Sequence, residues 1–264
     1  MRSLKKKRTL LPIIPPNLGV ERQYSRALVS LVREIQEGIQ AELIQEFRRL
    51  AKVEKSNLAM DGITDWVGHV VDYLSSKWLH KLDDLAPQIA RAFIHNTSSN
   101  FDMVMKRHMR KAGFTVRFQM VDTNEVRAVF AENVRLIKSI GQQYLGNVET
   151  HVWQCVQSGY DLSELSKNLQ NDFGVSKRRA QFIARDQAAK AHAEIERARR
   201  EELGITKAVW QHSHAGKEPR PSHVAANGKE FDVSKGMYLD GKWVLPGQEI
   251  NCRCTSRAVI EGIA

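Results

Sequence analysis

No apolar run in the chain approaches the roughly 20 residues that a membrane-spanning helix needs, so no membrane partner is expected. A secretory leader is not expected either. The start is basic, but the apolar run Leu10–Ile14 is too short for a signal core, and Pro12, Pro15 and Pro16 break it. Cysteine is scarce: Cys155, Cys252 and Cys254 are too few and too uneven for a disulfide framework. Catalytic signatures are missing as well. There is no His-Glu-x-x-His, and Gly216-Lys217 and Gly241-Lys242 lack the Ser/Thr and the spacing of a phosphate-binding loop. His192-Ala193-Glu194 mimics the start of a zinc deaminase signature, but it falls mid-helix and no Pro-Cys-x-x-Cys follows.

What the chain does have is concentrated positive charge. Its 264 residues suffice for one large domain or two modest ones, and the formal net charge is +10. Arg2, Lys5, Lys6, Lys7 and Arg8 supply +5. Residues 177–200 supply the other +5, with Lys177, Arg178, Arg179, Arg185, Lys190, Arg197, Arg199 and Arg200 against Asp186, Glu194 and Glu196. Charge so localised favours polyanions, nucleic acid first and acidic protein surfaces second, unless it is simply a solvated face.

Hydrophobic periodicity divides the chain into an α+β protein, a mainly helical N-terminal body followed by a small β-rich C-terminal module. Residues 1–19 read as an extended basic, Pro-rich arm. Residues 20–160 read as a helical body. In it Tyr24, Leu28, Leu31, Ile35, Ile39, Leu43, Phe47 and Leu50 recur at gaps of three and four. Asp61-Gly62 predicts a break, Pro87 predicts a fresh helix start, and Gly159 predicts the end of the body. Residues 161–204 read as a basic helical hairpin. Asp161 caps its first helix, Phe173-Gly174 turns the chain, and Ser176 caps a second helix that runs to Gly204. Residues 205–264 read as the β-rich module, with Asp240-Gly241 placed to make a tight type I′ hairpin.

This module is dense in special residues. Trp210, His212 and His214 are two apart and would share one face of a strand. Arg220-Pro221-Ser222-His223, Gly228, Phe231 and then Pro246-Gly247 through Asn251-Cys252-Arg253-Cys254 follow. The ordered combination resembles the C-terminal domain of the Mu F-like phage minor head proteins, also described as the phage head morphogenesis family. Its lead-in helix, Ala184-Arg185-Asp186 to Gly204, also looks like that of the family, and the resemblance spans roughly 176–260.

The resemblance implies a non-enzymatic minor head (capsid) component at the portal vertex of a tailed phage, assembled in the host cytoplasm and resident in the virion. The partners it implies are portal protein, capsid or scaffolding proteins, and double-stranded DNA contacted without sequence preference during packaging, retention or ejection. Lys5, Lys6, Lys7, Arg8, Lys177, Arg178, Arg179, Arg185 and Lys190 are the candidate contacts to DNA or portal.

Read on their own chemistry, Cys252 and Cys254 would project from one face of a strand, with Cα atoms about 7 Å apart, too far for an easy disulfide. With His212, His214 or His223 brought over, they form a candidate zinc set. The Cys-x-Cys spacing is shorter than in known fingers, and two small buried thiols are the plain alternative. Two other functions stay open at this level. One is a metal-dependent nuclease or hydrolase built on the His/Cys cluster, and the other is a helix-turn-helix DNA-binding regulator using 161–203.

Overall fold

The computed structural model describes residues 8–53, 60–119, 121–158, 161–214 and 218–261. The elements in chain order are β1 (Arg8–Leu10), α1 (Leu18–Val53), α2 (Met60–Lys111), α3 (Asn124–Gln157), α4 (Leu162–Glu202), β2 (Lys207–Gln211), α5 (Pro221–Ala225), β3 (Glu230–Asp232), β4 (Met237–Leu239), β5 (Lys242–Val244) and β6 (Thr255–Glu261). Among the described residues no helix is long and apolar enough to cross a membrane. The architecture is α+β as expected, but it clusters differently along the chain. One compact unit comprises 1–22, 91–131 and 185–264, and the other comprises 23–90 and 132–184. The unit that carries the sheet thus draws on far more of the chain than the module expected at 205–264.

The helical unit is built from apolar stripes. Leu28, Ile35, Ile39 and Leu43 of α1, Leu74, Trp78 and Leu82 of α2, Ile137, Ile140 and Tyr144 of α3, and Leu165 and Leu169 of α4 are all buried. Their spacings of three, four and seven put one side of each helix inward. Gly38 and Gly141 lie where bulk is excluded. A Cβ at Gly38 would collide with the Trp78 ring, and one at Gly141 would collide with Leu82.

Two expected breaks do not occur. Pro87 lies inside α2, not at a helix start. Ala86 and Ala90 around it are fully buried, so packing holds the helix through the missing hydrogen bond. The expected hairpin at 161–204 is one continuous helix, α4, with Gly174 in its interior. The buried positions Leu165, Leu169, Ser176, Ala180 and Ile183 keep helical spacing straight past the glycine. A helical Gly costs only about 1 kcal/mol, which such burial outweighs. Ser176 is therefore a core residue and not a cap, and a helix-turn-helix has no turn here. The start of α4 does follow expectation. Asp161 Oδ1 accepts the backbone N–H groups of Ser163 (2.9 Å) and Glu164 (3.0 Å). Asp61-Gly62 fall in the first turn of α2 and do not interrupt a helix, and Gly159 lies outside the described residues.

In the other unit a four-stranded antiparallel sheet has the order β1-β6-β2-β3, and β4 and β5 form a separate hairpin. Asp240 and Gly241 both take positive φ (50° and 82°), as a type I′ turn requires. The described part of the N-terminal arm, from Arg8 on, docks on its own chain. Arg8 pairs with Glu261 and Leu10 with Val259, and Leu11 and Ile14 are buried with Phe101, Met105, Ile195 and Ala258. A second core gathers Ala193, Ala208, Trp210, Phe231, Val244, Cys252 and Cys254.

Candidate metal centre

Trp210 on β2 is completely buried and anchors the site. The register of β2 against β6 sets Gln211 opposite Thr255, which brings the residues just before β6 alongside the end of β2. Cys252 and Cys254 occupy that stretch ahead of the strand, and they do not sit on the strand itself. The short helix α5, opened by Pro221, delivers His223 to the same place. The His223 ring meets Trp210 edge to face, with centroids 5.2 Å apart. Its Nδ1 stands 3.5 Å from Cys252 Sγ and 3.8 Å from Cys254 Sγ. The three donor atoms lie within 4.8 Å of one another and all three residues are buried.

The other face of the imidazole is fixed. His223 Nε2 donates to Glu249 Oε2 at 2.9 Å. Lys242 and Arg220 both pair with Glu249, and the hydrogen bond from Lys242 above all holds its carboxyl below the usual range. An ionised Glu249 takes the Nε2 proton as its hydrogen bond, so the lone pair of Nδ1 points at the two sulfurs.

The thiols titrate as a pair. The hydrogen bond from Cys254 pushes Cys252 down to about 5, helped by backbone N–H groups of Cys254 and Gly247 and by His223. Cys254 is pushed up by the same partner and by burial. The backbone at Ser213 and the Trp210 side chain act in the opposite direction. The Trp210 Nε1–H is buried with no nitrogen or oxygen acceptor, and it favours the Cys254 thiolate. Chemically, the cluster can bind a soft cation. It also lines up a thiolate, an imidazole and a carboxylate in the order used by cysteine nucleophiles, but Cys252 is only 4% exposed.

Of the five expected ligands the structure brings together three. β2 ends at Gln211, and His214 takes φ 51°, so Trp210, His212 and His214 do not share one strand face. The His212 and His214 rings pack edge to face at 4.7 Å, and the His214 backbone N–H donates to His212 Nδ1 (3.2 Å). Burial, and then the neighbouring His214, lower the pKa of His212, while Cys252 raises it.

The other motif residues shape the loops around the cluster. Asn227 Oδ1 accepts the His212 backbone N–H (3.0 Å), and Arg220 Nη2 donates to the Ile250 carbonyl (3.0 Å). Gly228 takes positive φ, and Phe231 and Pro246 are buried. Gly247 takes φ 90° where a Cβ would lie 3.3 Å from the Ala189 carbonyl oxygen. Asn251 takes φ 59°, and its N–H donates to Asp186 Oδ1 (2.6 Å). Arg253 is exposed.

The cationic candidates divide. Lys5, Lys6 and Lys7 lie outside the described residues. Lys177, Arg178 and Arg179 are exposed in the helical unit, and Arg185 is exposed in the sheet-bearing unit. Arg8 pairs with Glu230. Lys190, expected as a contact, is largely covered and pairs with Asp186 at 2.9 Å. Further along α4, Arg199 grips Asp102 through Nε and Nη2 (2.7 and 2.6 Å), and buried Arg200 pairs with Glu196 at 2.6 Å. The second half of that basic segment is therefore neutralised inside the fold. Sequence reasoning also missed Glu249. Its signal was present, an acidic residue inside the dense Pro246–Cys254 stretch, but nothing in the spacing aims it at His223.

Residues 146–257 match the family described as Phage Mu protein F like protein. A protein of Haemophilus influenzae strain Rd, described as an uncharacterized protein, is 35% identical over 139 residues. That match covers 53% of this chain and 30% of the relative, so the chain spans only about a third of the length of the curated protein it matches. No solved structure matches the chain.

Proposed function

Starting from the Mu F-like character of residues 146–257, we propose that the protein is a minor head component of a tailed phage, acting in head morphogenesis. In this reading it works by contact and not by catalysis, assembles in the host cytoplasm, and resides in the virion at the portal vertex. Its partners are portal protein, capsid or scaffolding proteins, and double-stranded DNA. The family match carries the proposal.

Three features fit it. The His/Cys cluster is closed in by its own loops, as suits a structural part. The family's motif residues make the turns and packing of one compact unit, as suits a docking module. Lys177, Arg178 and Arg179 are exposed within one turn of α4, cations free to meet phosphates without reading bases.

The deciding experiment is to probe purified virions and procapsids for the chain by mass spectrometry and to test its copurification with portal protein. Presence in either particle together with portal association is expected, and absence from both would overturn the proposal. For the DNA contact, binding to duplexes of unrelated sequence should fall steeply with salt. Replacing Lys177, Arg178 and Arg179 together by Gln should flatten the log–log salt dependence by about 3. An unchanged slope would remove these residues from the DNA contact.

A further inference from the structure

We propose that His223, Cys252 and Cys254 hold one zinc-type divalent cation, and that this ion fastens the loops at one end of the sheet. The proposal rests on the geometry of the cluster alone and stands whether or not the protein is a phage head component.

The first argument is distance. Zinc–sulfur bonds of about 2.3 Å and a zinc–nitrogen bond of about 2.0–2.1 Å at tetrahedral angles separate sulfur from nitrogen by about 3.6 Å. His223 Nδ1 lies 3.5 and 3.8 Å from the two sulfurs. Both nitrogen–sulfur distances thus already match the edges of such a tetrahedron, and all three donors lie within 4.8 Å of one another.

The second argument is the support around the donors. A metal-binding histidine typically donates its other N–H to a carboxylate, which sets the tautomer and the ring angle. His223 does this to Glu249, which Arg220 and Lys242 hold ionised. The Trp210 indole N–H, on a side chain with no exposure, has no nitrogen or oxygen acceptor.

The third argument is charge. Zinc takes cysteine as thiolate, and two thiolates in a buried site need a counter-cation. Among the described residues no Lys or Arg is paired with either sulfur, and Arg220 and Lys242 are committed to Glu249. A divalent ion balances the pair. Binding forms two metal–sulfur bonds and one to Nδ1, and any proton still on either sulfur leaves to solvent.

The full-length chain, prepared without a metal-affinity tag and reconstituted with zinc under reducing conditions, should retain about one zinc per chain after dialysis. Cobalt substitution should give a thiolate-to-cobalt charge-transfer band and the visible absorption of a tetrahedral ion. This reads the wild-type chain and does not depend on any variant folding. Cys252→Ser and Cys254→Ser should each lose the metal. Glu249→Gln should keep the spectrum while weakening affinity about 10- to 100-fold. Failure of the wild-type chain to retain zinc or to bind cobalt would overturn the whole proposal, as would a Cys252–Cys254 disulfide that persists under reducing conditions.

Discussion

The two units solve the problem of cohesion in different ways. In the helical unit the interior is mostly apolar, and its buried polar residues are few, notably Asn133, which accepts a hydrogen bond from Tyr24 at 2.8 Å. In the sheet-bearing unit, Asp186, His192, Glu194, Glu196, Arg199, Arg200, His223 and Ser256 are all buried. There Arg200 donates to Ser256 Oγ (2.7 Å), and Ser256 donates on to Glu196 (3.1 Å), so the three groups close a ring around one ion pair. The helical unit is held by shape, and many sequences of the right size would serve. The sheet-bearing unit is held by matched partners, and each removal strands another group.

That difference is open to measurement. The largest effect is expected from Arg200→Met, which leaves Glu196 buried and unpaired. The expected loss is about 3–5 kcal/mol in urea denaturation, and the double variant Arg200→Met with Glu196→Leu should recover much of it. A double variant as unstable as the single one would show that the ion pair does not set the cost. In the helical unit, Leu82→Ala should cost about 2–5 kcal/mol through the cavity it leaves, and Leu82→Met should cost less than about 1.5 kcal/mol. A Met variant as damaging as the Ala variant would mean that this unit too requires matched shapes.

A third, pH-dependent effect separates the units further. His192 Nε2 donates to the Ile14 carbonyl at 2.7 Å, and burial pushes its pKa below the ordinary value of about 6.5. The unfolded chain therefore takes up that proton more readily than the folded one. The stability due to His192 is complete above about pH 6.5 and drains away as pH falls through the lower folded-state value. Between pH 7.5 and pH 5 the wild type should lose more stability than His192→Gln, and equal slopes would remove His192 as the cause. The smallest effect is expected from Asp161→Ala, about 1 kcal/mol from the lost cap of α4, with Asp161→Ser restoring most of it.

The sequence made some features plain and hid others for physical reasons. The α1 stripe and the Asp240-Gly241 turn could be read because each depends only on neighbours in the chain. The continuity of α2 through Pro87 and of α4 through Gly174 could not, because local breakers were outweighed by burial against distant residues. The excess charge of residues 177–200 was counted correctly and yet misplaced in part. Arg199 finds Asp102 across 97 positions of sequence, and no local sum reveals such a partner. Cys252, Cys254 and His223 stood out by type. Glu249 and the Trp210 N–H did not, because their roles depend on how the β2–β6 register folds the loops together.

The antiparallel pairing of β1 with β6 also has a mechanical consequence. Arg8 lies opposite Glu261, so the start of β1 and the end of β6 are neighbouring points at the same end of this strand pair. Tension applied through those two ends would pull across the ladder. It would load its hydrogen bonds one after another instead of all at once. Under such a load the arm would peel away like a zipper, and the sheet behind it would yield only after the arm had been stripped.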